Sequence, residues 1–142
     1  MKALVVADEL RDELLRASRS AAPREACGVL LGRVDGDAWI VERIVVARNV
    51  ASELDRFELH PADHLAAERD AARLALDVLG AWHSHVDSPA VPSALDLAAP
   101  LGACALIVSL GTEPGSSVNY SRYGAGNTFA SVRIVDGGAW LR

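Results

Sequence analysis

The chain has few basic residues and no long apolar run, which are the features that nucleic-acid-binding and membrane-spanning proteins need. Its 142 residues include 14 lysines and arginines against 19 aspartates and glutamates, for a formal net charge of −5. A phosphate backbone requires a basic face, and the basic residues here are scattered, so we expect no nucleic-acid partner. The longest uncharged run, Leu97 to Thr112, is broken by Pro100 and Gly102. It is shorter than the roughly 20 apolar residues of a spanning helix, so we expect no membrane partner either.

Cysteine is also scarce. The chain has two isolated cysteines, Cys27 and Cys104, and no CxxC pair, so no disulfide framework is expected and the thiols are expected to be reduced. The first residues become acidic at Asp8 and Glu9, which is too early for a secretory signal. Reduced thiols and the absence of a signal favour a cytoplasmic location.

The chain has no linker-like stretch, internal repeat or low-complexity block, which predicts one domain over residues 1–142. Asp35-Gly36-Asp37 is a hairpin signal between two apolar runs. Hydrophobic spacing predicts strands at Ala3–Val6, Cys27–Val34, Trp39–Val46, Val78–His83, Ala103–Leu110, Val118–Tyr123 and Phe129–Val135, and helices at Glu9–Ala17, Pro61–Asp77 and Ala94–Ala99. The predicted fold class is α/β (α+β), a mixed sheet flanked by helices.

The chemistry is concentrated in His83-Ser84-His85 and the residues that follow. Side chains at i and i+2 of a strand point to the same face, so the two imidazoles can converge on one ion. Asp96 is predicted in the first turn of a helix capped by Ser93, where its carboxylate can face the strand end. Two histidines and one carboxylate leave a tetrahedral zinc with one open position, as in catalytic sites.

The same residues also have a purely structural interpretation. Two histidines can simply end a strand, Ser93 can cap a helix, and Asp96 can interact favourably with the helix dipole. The spacing His-x-His-x7-Ser-x2-Asp would rarely arise by chance from this composition, which favours the functional interpretation.

Together with Glu25, this spacing resembles the JAMM (MPN-plus) metallopeptidase motif, a glutamate followed by His-Ser/Thr-His-x7-Ser-x2-Asp. The similarity extends from about Pro23 to Ser109. Three flanking segments also resemble those of the small prokaryotic members: Pro23 to Gly32, Phe57 with Pro61, and Gly80 to Trp82. One difference is Val86, which stands where many relatives have proline.

The resemblance implies a fold similar to the cytidine-deaminase-like architecture, and it implies a role for each motif residue. His83, His85 and Asp96 match the zinc ligands, with one Zn²⁺ and a bound catalytic water per chain. Glu25 matches the glutamate that takes a proton from that water and passes it to the leaving amine. Ser93 matches the serine that donates a hydrogen bond to the oxyanion, and this role competes with helix capping for the same hydroxyl.

The small prokaryotic members that the chain resembles are zinc metallopeptidases or isopeptidases. They hydrolyse the bond after the C-terminal Gly-Gly of a ubiquitin-like sulfur-carrier protein and release cysteine or a linked protein. One alternative is a non-catalytic MPN-type interaction module, although such modules usually lack one or more ligands. A nucleoside deaminase is a third class, but it requires His-x-Glu followed by Pro-Cys-x-x-Cys, and Cys27 and Cys104 cannot supply that pattern.

Two further questions stay open at the level of sequence. Cys27 lies two residues after Glu25 and could line the site, although a small buried cysteine is the commoner outcome. A chain of this length has little room beyond the catalytic sheet. Substrate choice therefore depends on the loops of the site or on a partner subunit, which makes a homodimer possible.

Overall fold

The computed structural model describes residues 3–91, 93, 104–110, 118–120 and 133–136. These residues form the helices α1 (Asp8–Ala21) and α2 (Pro61–Leu74) and the strands β1 (Ala3–Val6), β2 (Cys27–Asp35), β3 (Ala38–Ala47), β4 (Asp77–His85), β5 (Cys104–Ser109), β6 (Val118–Tyr120) and β7 (Arg133–Asp136). The strands make one sheet in the order β6-β5-β4-β2-β3-β1-β7. The sheet is mixed, because β2 is antiparallel to β3 and β4 whereas β4 is parallel to β5.

The two helices pack on opposite faces of the sheet. Side chains alternate along β2, so Leu30 belongs to the core cluster on the α1 side, with Leu14 and Trp82. Val29 and Leu31 belong to the cluster beneath α2, with Ala67 and Ala71 of that helix. This arrangement confirms the predicted mixed sheet flanked by helices.

The β2–β3 hairpin confirms the turn predicted at Asp35-Gly36-Asp37. Gly36 has a φ of 55°, a left-handed conformation that glycine adopts without steric cost. The antiparallel register then runs from the Asp35–Ala38 pair to the Cys27–Ala47 pair. Cys27 therefore lies beside the last residue of β3 on one side and beside His83 of β4 on the other.

The predicted bounds of both described helices were wrong. Helix α1 extends to Ala21 rather than Ala17, and its added turn contains Ser18, which is buried and donates its hydroxyl to the Leu14 carbonyl at 2.7 Å. Helix α2 ends at Leu74 rather than Asp77. Ala75 takes a left-handed conformation there, and the Leu76 N–H donates back to the Ala71 carbonyl at 2.8 Å.

The strand predicted at Val78–His83 is longer than expected and includes His85. The helix predicted at Ala94–Ala99 and parts of the last three predicted strands lie outside the described residues. No helix within the described residues is long and apolar enough to cross a membrane.

Candidate metal centre

Two histidines lie at the end of β4, on the face that α2 covers. His83 is directly opposite Cys27 of β2 in the antiparallel register, and His85 is the last residue of the strand. Both side chains are buried. Trp82, between Ala81 and His83, faces the other core cluster and donates its indole N–H to the Val45 carbonyl at 3.1 Å. The alternation expected from the sequence is therefore present.

The imidazoles of His83 and His85 converge through their Nε2 atoms, which are 3.1 Å apart. Two nitrogens bound to one tetrahedral zinc at normal bond lengths are separated by roughly 3.3 Å. The observed pair therefore fits two corners of such a site.

The hydrogen bond of Nδ1, the other ring nitrogen of His85, determines which atom of this ring can bind a metal. Nδ1 lies 2.8 Å from the Pro89 carbonyl oxygen, which can only accept a hydrogen bond, so Nδ1 carries the proton. In the neutral ring, Nε2 then presents a lone pair towards His83. A backbone carbonyl that orients a histidine in this way is a common feature of metal sites.

The loop that contains Pro89 is held by β5. Ser109 donates its hydroxyl to the Ser88 carbonyl at 2.7 Å, and the Leu110 N–H donates to the His85 carbonyl at 2.9 Å. Ser109 pairs with His85 in the parallel register of β4 and β5. These bonds hold the segment that leads from His85 to the Pro89 carbonyl on which His85 depends.

A phenylalanine covers one face of His83. The rings of Phe57 and His83 are stacked, with centroids 4.4 Å apart and an interplanar angle of 17°. Phe57 comes from the connection between β3 and α2, so a segment remote in sequence forms a wall of the site. From the sequence, Phe57 was identified only as part of a segment that resembles the small prokaryotic JAMM proteins.

Glu25 is buried two residues before β2 begins, and its main chain is tied to the histidine strand. The next residue, Ala26, donates its N–H to the Ser84 hydroxyl at 2.8 Å and accepts from the Ser84 N–H at 3.0 Å. Ser84 stands between the two histidines and is fully buried. The structure thus brings Glu25 to the strand that carries the histidines, although 58 residues separate Ala26 from Ser84.

The other two predicted site residues are described only in part. Ser93 is exposed, and the helix it was predicted to cap lies outside the described residues, as does Asp96. Among the residues that the structure describes, no group of three or more histidine, cysteine, aspartate and glutamate side chains is placed to hold a metal ion. The described part of the centre is therefore the histidine pair with Glu25 near it.

Cys27 lies beside the site as a neutral thiol. Its Sγ donates weakly to the Ala47 carbonyl at 3.8 Å. Burial, reinforced by the negative charge of Glu25, raises the pKa of the Cys27 thiol to about 12. A thiol this hard to ionise is a poor nucleophile at neutral pH, so Cys27 belongs to the packing of the site.

Sequence reasoning missed the polar residues that support the site. Ser84 was part of the motif but received no role, and neither Ser109 nor Asn49 was considered. Asn49 follows β3 and donates its side-chain amide to the Glu25 carbonyl at 2.9 Å. An asparagine directly after a predicted strand is a turn signal, and it could have drawn attention to this position.

The profile of prokaryotic homologs of the JAB domain matches residues 7–122. The chain belongs to this family. The JAB-domain chain is 37% identical over 98 residues to the desampylase of Haloferax volcanii, a match covering 66% of this chain and 69% of that protein. The desampylase of Pyrococcus furiosus is 33% identical, with 55% of this chain and 53% of that protein covered.

A third relative is the Thermus thermophilus protein named "Probable TtuB-protein conjugate cleaving protease". It is 35% identical, over 63% of this chain and 55% of its own length. The matches thus span little more than half of two of these three relatives. Family membership and the names of these relatives identify the JAB-domain chain as a hydrolase.

Solved structures support the same fold. A protein from Desulfitobacterium hafniense has a TM-score of 0.81 and 34% identity, covering 95% of this chain and 92% of that one. The structure described as "JAMM: A Metalloprotease-like Zinc Site in the Proteasome and Signalosome" has a TM-score of 0.53 and 19% identity, covering 96% and 98%. The latter likeness concerns the fold alone.

Proposed function

We propose that the protein is a zinc-dependent isopeptidase that cleaves conjugates of a ubiquitin-like protein after its C-terminal Gly-Gly. The observation that carries the proposal is the convergence of His83 and His85 through Nε2 atoms 3.1 Å apart, beside the buried Glu25. The relatives named as desampylases and as a conjugate-cleaving protease support a conjugate as the substrate.

The proposed zinc ligands are His83, His85 and Asp96. The described histidines fit the ion, because their chemistry, their separation and the Nδ1–H bond of His85 to Pro89 all suit a metal-binding pair. A bound zinc would lower the pKa of a coordinated water to about 7 and polarise the scissile carbonyl.

The chain's own residues would then move the proton and stabilise charge. Glu25 is the proposed general base, and it returns the proton to the leaving amine as a general acid. The proposal is supported by the burial of Glu25 and by the hydrogen bonds that join the next residue, Ala26, to Ser84 of the histidine strand. Ser93 is proposed to donate a hydrogen bond to the oxyanion, and helix capping is the competing role for its hydroxyl.

The proposed substrate follows from the shape of the histidine pair's surroundings. Both rings are buried, and Phe57 covers one face of His83, so a narrow approach to the ion is expected. A flexible Gly-Gly tail without side chains suits a narrow approach. We propose a sulfur-carrier protein with such a tail as the substrate, released from cysteine or from a linked protein in the cytoplasm.

The test incubates the full chain with ubiquitin-like carrier proteins that bear a C-terminal cysteine or a lysine-linked extension. Products are identified by mass, with and without a chelator, and zinc is then restored. Cleavage after Gly-Gly that disappears with the chelator and returns with zinc is expected.

Two variants make this test specific to the site. Glu25→Ala should bind zinc but lose turnover, whereas Glu9→Ala, at an exposed position on α1, should keep full activity. Cleavage that survives complete zinc removal, or full activity of Glu25→Ala, would contradict the proposal. A protein that purifies without zinc and cleaves no carrier would instead support the non-catalytic MPN-type module.

A further inference from the structure

The chain between β3 and α2 forms a loop whose two ends are hydrogen-bonded to each other, and Asn49 lies at the first of these ends. The Val50 N–H donates to the Glu58 carbonyl at 2.9 Å, and the His60 N–H donates to the Arg48 carbonyl at 3.0 Å. Asn49 and Leu59 form an isolated antiparallel bridge between these two bonds. We refer to residues 50–58 as the 50–58 loop.

The side-chain amide of Asn49 makes every hydrogen bond that an asparagine can make. Its Oδ1 accepts from the N–H groups of Ala51 and Glu58, at 2.9 and 3.0 Å. Its Nδ2 donates to the carbonyls of Arg56 and Glu25, both at 2.9 Å. Two donors and two acceptors are the full capacity of this side chain, so Asn49 holds the loop closed and joins it to Glu25.

Arg24 adds a second link between the same two segments. Its guanidinium donates from Nη2 to the Asn49 carbonyl at 3.3 Å and to the Ala51 carbonyl. Arg24, through its side chain, and Glu25, through its main-chain carbonyl, therefore both bind the start of the 50–58 loop and Asn49 before it.

Phe57 is the part of the loop that reaches the histidine pair. Residues 52–56 and Glu58 are exposed, whereas Phe57 is half-buried and stacks on His83. An exposed loop of this kind can move unless something fixes it, and movement here would carry the ring away from His83. The four bonds of the Asn49 side chain, together with those of Arg24, oppose that movement.

We propose that Asn49 is a positioning residue, which joins Glu25 and the Phe57 ring on His83 into one rigid unit. This inference rests on the proposed function for its effect on turnover, but the positioning itself concerns only the described residues. A misplacement of about 1 Å between reacting groups can cost roughly 100-fold in rate, so the link would contribute to catalysis without touching substrate.

The test variant is Asn49→Asp, which keeps the shape and the two acceptor bonds from Ala51 and Glu58. It loses both donors and places a carboxylate oxygen against the carbonyls of Glu25 and Arg56. At pH 7 we expect kcat to fall by roughly 10- to 100-fold, with KM and zinc content nearly unchanged, because the geometry of the chemical step is disturbed rather than substrate binding.

A second readout does not depend on activity. The carbon-bound protons of the His83 ring are shielded by the stacked ring of Phe57, so their NMR resonances report the stack. Phe57→Leu should move these resonances downfield, and Asn49→Asp should move them in the same direction. Ser52→Ala is the matched control, because Ser52 lies in the same loop at an exposed position and its hydroxyl donates to the carboxylate of the neighbouring Glu53.

The double variant Asn49→Asp/Phe57→Leu shows whether the two residues act together. If Asn49 acts through Phe57, the double variant loses less activity than the product of the two single losses. Independent losses, an unchanged His83 spectrum in Asn49→Asp, or an effect of equal size in Ser52→Ala would overturn the inference.

The readouts separate this inference from the proposed function. If the wild-type protein cleaves no conjugate while Asn49→Asp still displaces the His83 resonances, the proposed function fails and the positioning role stands. If circular dichroism shows that Asn49→Asp is unfolded, Asn49→Ser is used in its place. If Phe57→Leu leaves the His83 resonances unchanged, the inference is overturned whichever Asn49 variant is used.

Discussion

Ser84 and Ala26 exchange two hydrogen bonds across the site. The Ala26 N–H donates to the Ser84 hydroxyl at 2.8 Å, and the Ser84 N–H donates to the Ala26 carbonyl at 3.0 Å. Because Ser84 lies between the two histidines and Ala26 follows Glu25, this pair fixes the general base candidate relative to the candidate ligands. The relationship involves no residue that would itself touch a metal.

We expect Ser84→Ala to destabilise the protein. The substitution removes the acceptor of the Ala26 N–H in a buried place, and an unsatisfied buried donor costs about 1–3 kcal/mol. The measurement is the free energy of unfolding in urea, compared with the exposed control Ser52→Ala. An unfolding free energy within 0.5 kcal/mol of wild type, roughly the range of neutral surface substitutions, would show that water replaces the hydroxyl.

Zinc should stabilise the folded protein through His83. Thermal unfolding of metal-free protein is measured with increasing zinc, and a free ion concentration 100 times the dissociation constant stabilises by about 2.7 kcal/mol. The variant His83→Ala should lose this dependence. His64→Ala should keep it, because His64 lies on α2 with its Nε2 3.2 Å from a Glu68 carboxylate oxygen and is outside the site. An equal response of all three proteins would place the zinc elsewhere.

The histidine pair could be predicted because strand periodicity is a local property. Alternation alone placed the side chains of His83 and His85 on one face of the strand, and the structure shows them converging there. Family membership, predicted from the motif, is confirmed by the match over residues 7–122.

The approach of Glu25 to β4 could not be derived in that way, because it depends on the order of strands in the sheet. Only the resemblance brought Glu25 to the histidines before the fold was known. The hydrogen bonds of Asn49 were out of reach for the same reason, since its partner Glu25 is 24 residues away and the loop has no periodic pattern.

The helix bounds failed for a different physical reason. Ser18, in the part of α1 that was not predicted, is a buried polar residue whose hydroxyl is satisfied by the Leu14 carbonyl, and apolar periodicity does not detect such a residue. The end of α2 depends on Ala75 taking a left-handed conformation that alanine rarely adopts. The roles of Ser93 and Asp96 stay predictions.

The stability of the protein should depend on pH through Asp63, which lies in the first turn of α2 and binds Arg48. Arg48 donates to the carboxylate from Nε, from Nη2 and from its main-chain N–H, at 2.7–3.0 Å. These side-chain and backbone bonds hold the pKa of Asp63 well below its usual range. A carboxyl with a depressed folded pKa stabilises above its unfolded pKa of about 3.9, and this contribution is lost as the pH falls below that value.

The measurement compares urea midpoints of wild type and Asp63→Asn between pH 2 and pH 7. Other carboxyls titrate in the same range, so the difference between the two proteins is the informative quantity. It should favour wild type at neutral pH and shrink below about pH 4, and added salt should reduce it because the pair is partly exposed. A difference that does not change with pH would contradict this assignment.

Gly28 allows the Trp82 indole to cross β2, and this close approach predicts a steep cost for any side chain there. A Cβ at Gly28 would overlap the Val45 carbonyl and lie 2.5 Å from Trp82 Nε1, which are the acceptor and the donor, respectively, of one hydrogen bond. Gly28→Ala should therefore break that bond and overpack the core, lowering the unfolding free energy by about 1–3 kcal/mol.

The matched control is Gly36→Asn, because Gly36 has a positive φ with open space around it, and asparagine tolerates that conformation better than other residues. We expect Gly36→Asn to remain close to wild type in urea denaturation, whereas Gly28→Ala unfolds at lower urea and loses the near-ultraviolet signal of a packed tryptophan. Equal midpoints for the two variants would mean that the β2–β3 region yields enough to admit a methyl group. In that case the Trp82–Val45 bond would not be what restricts position 28 to glycine.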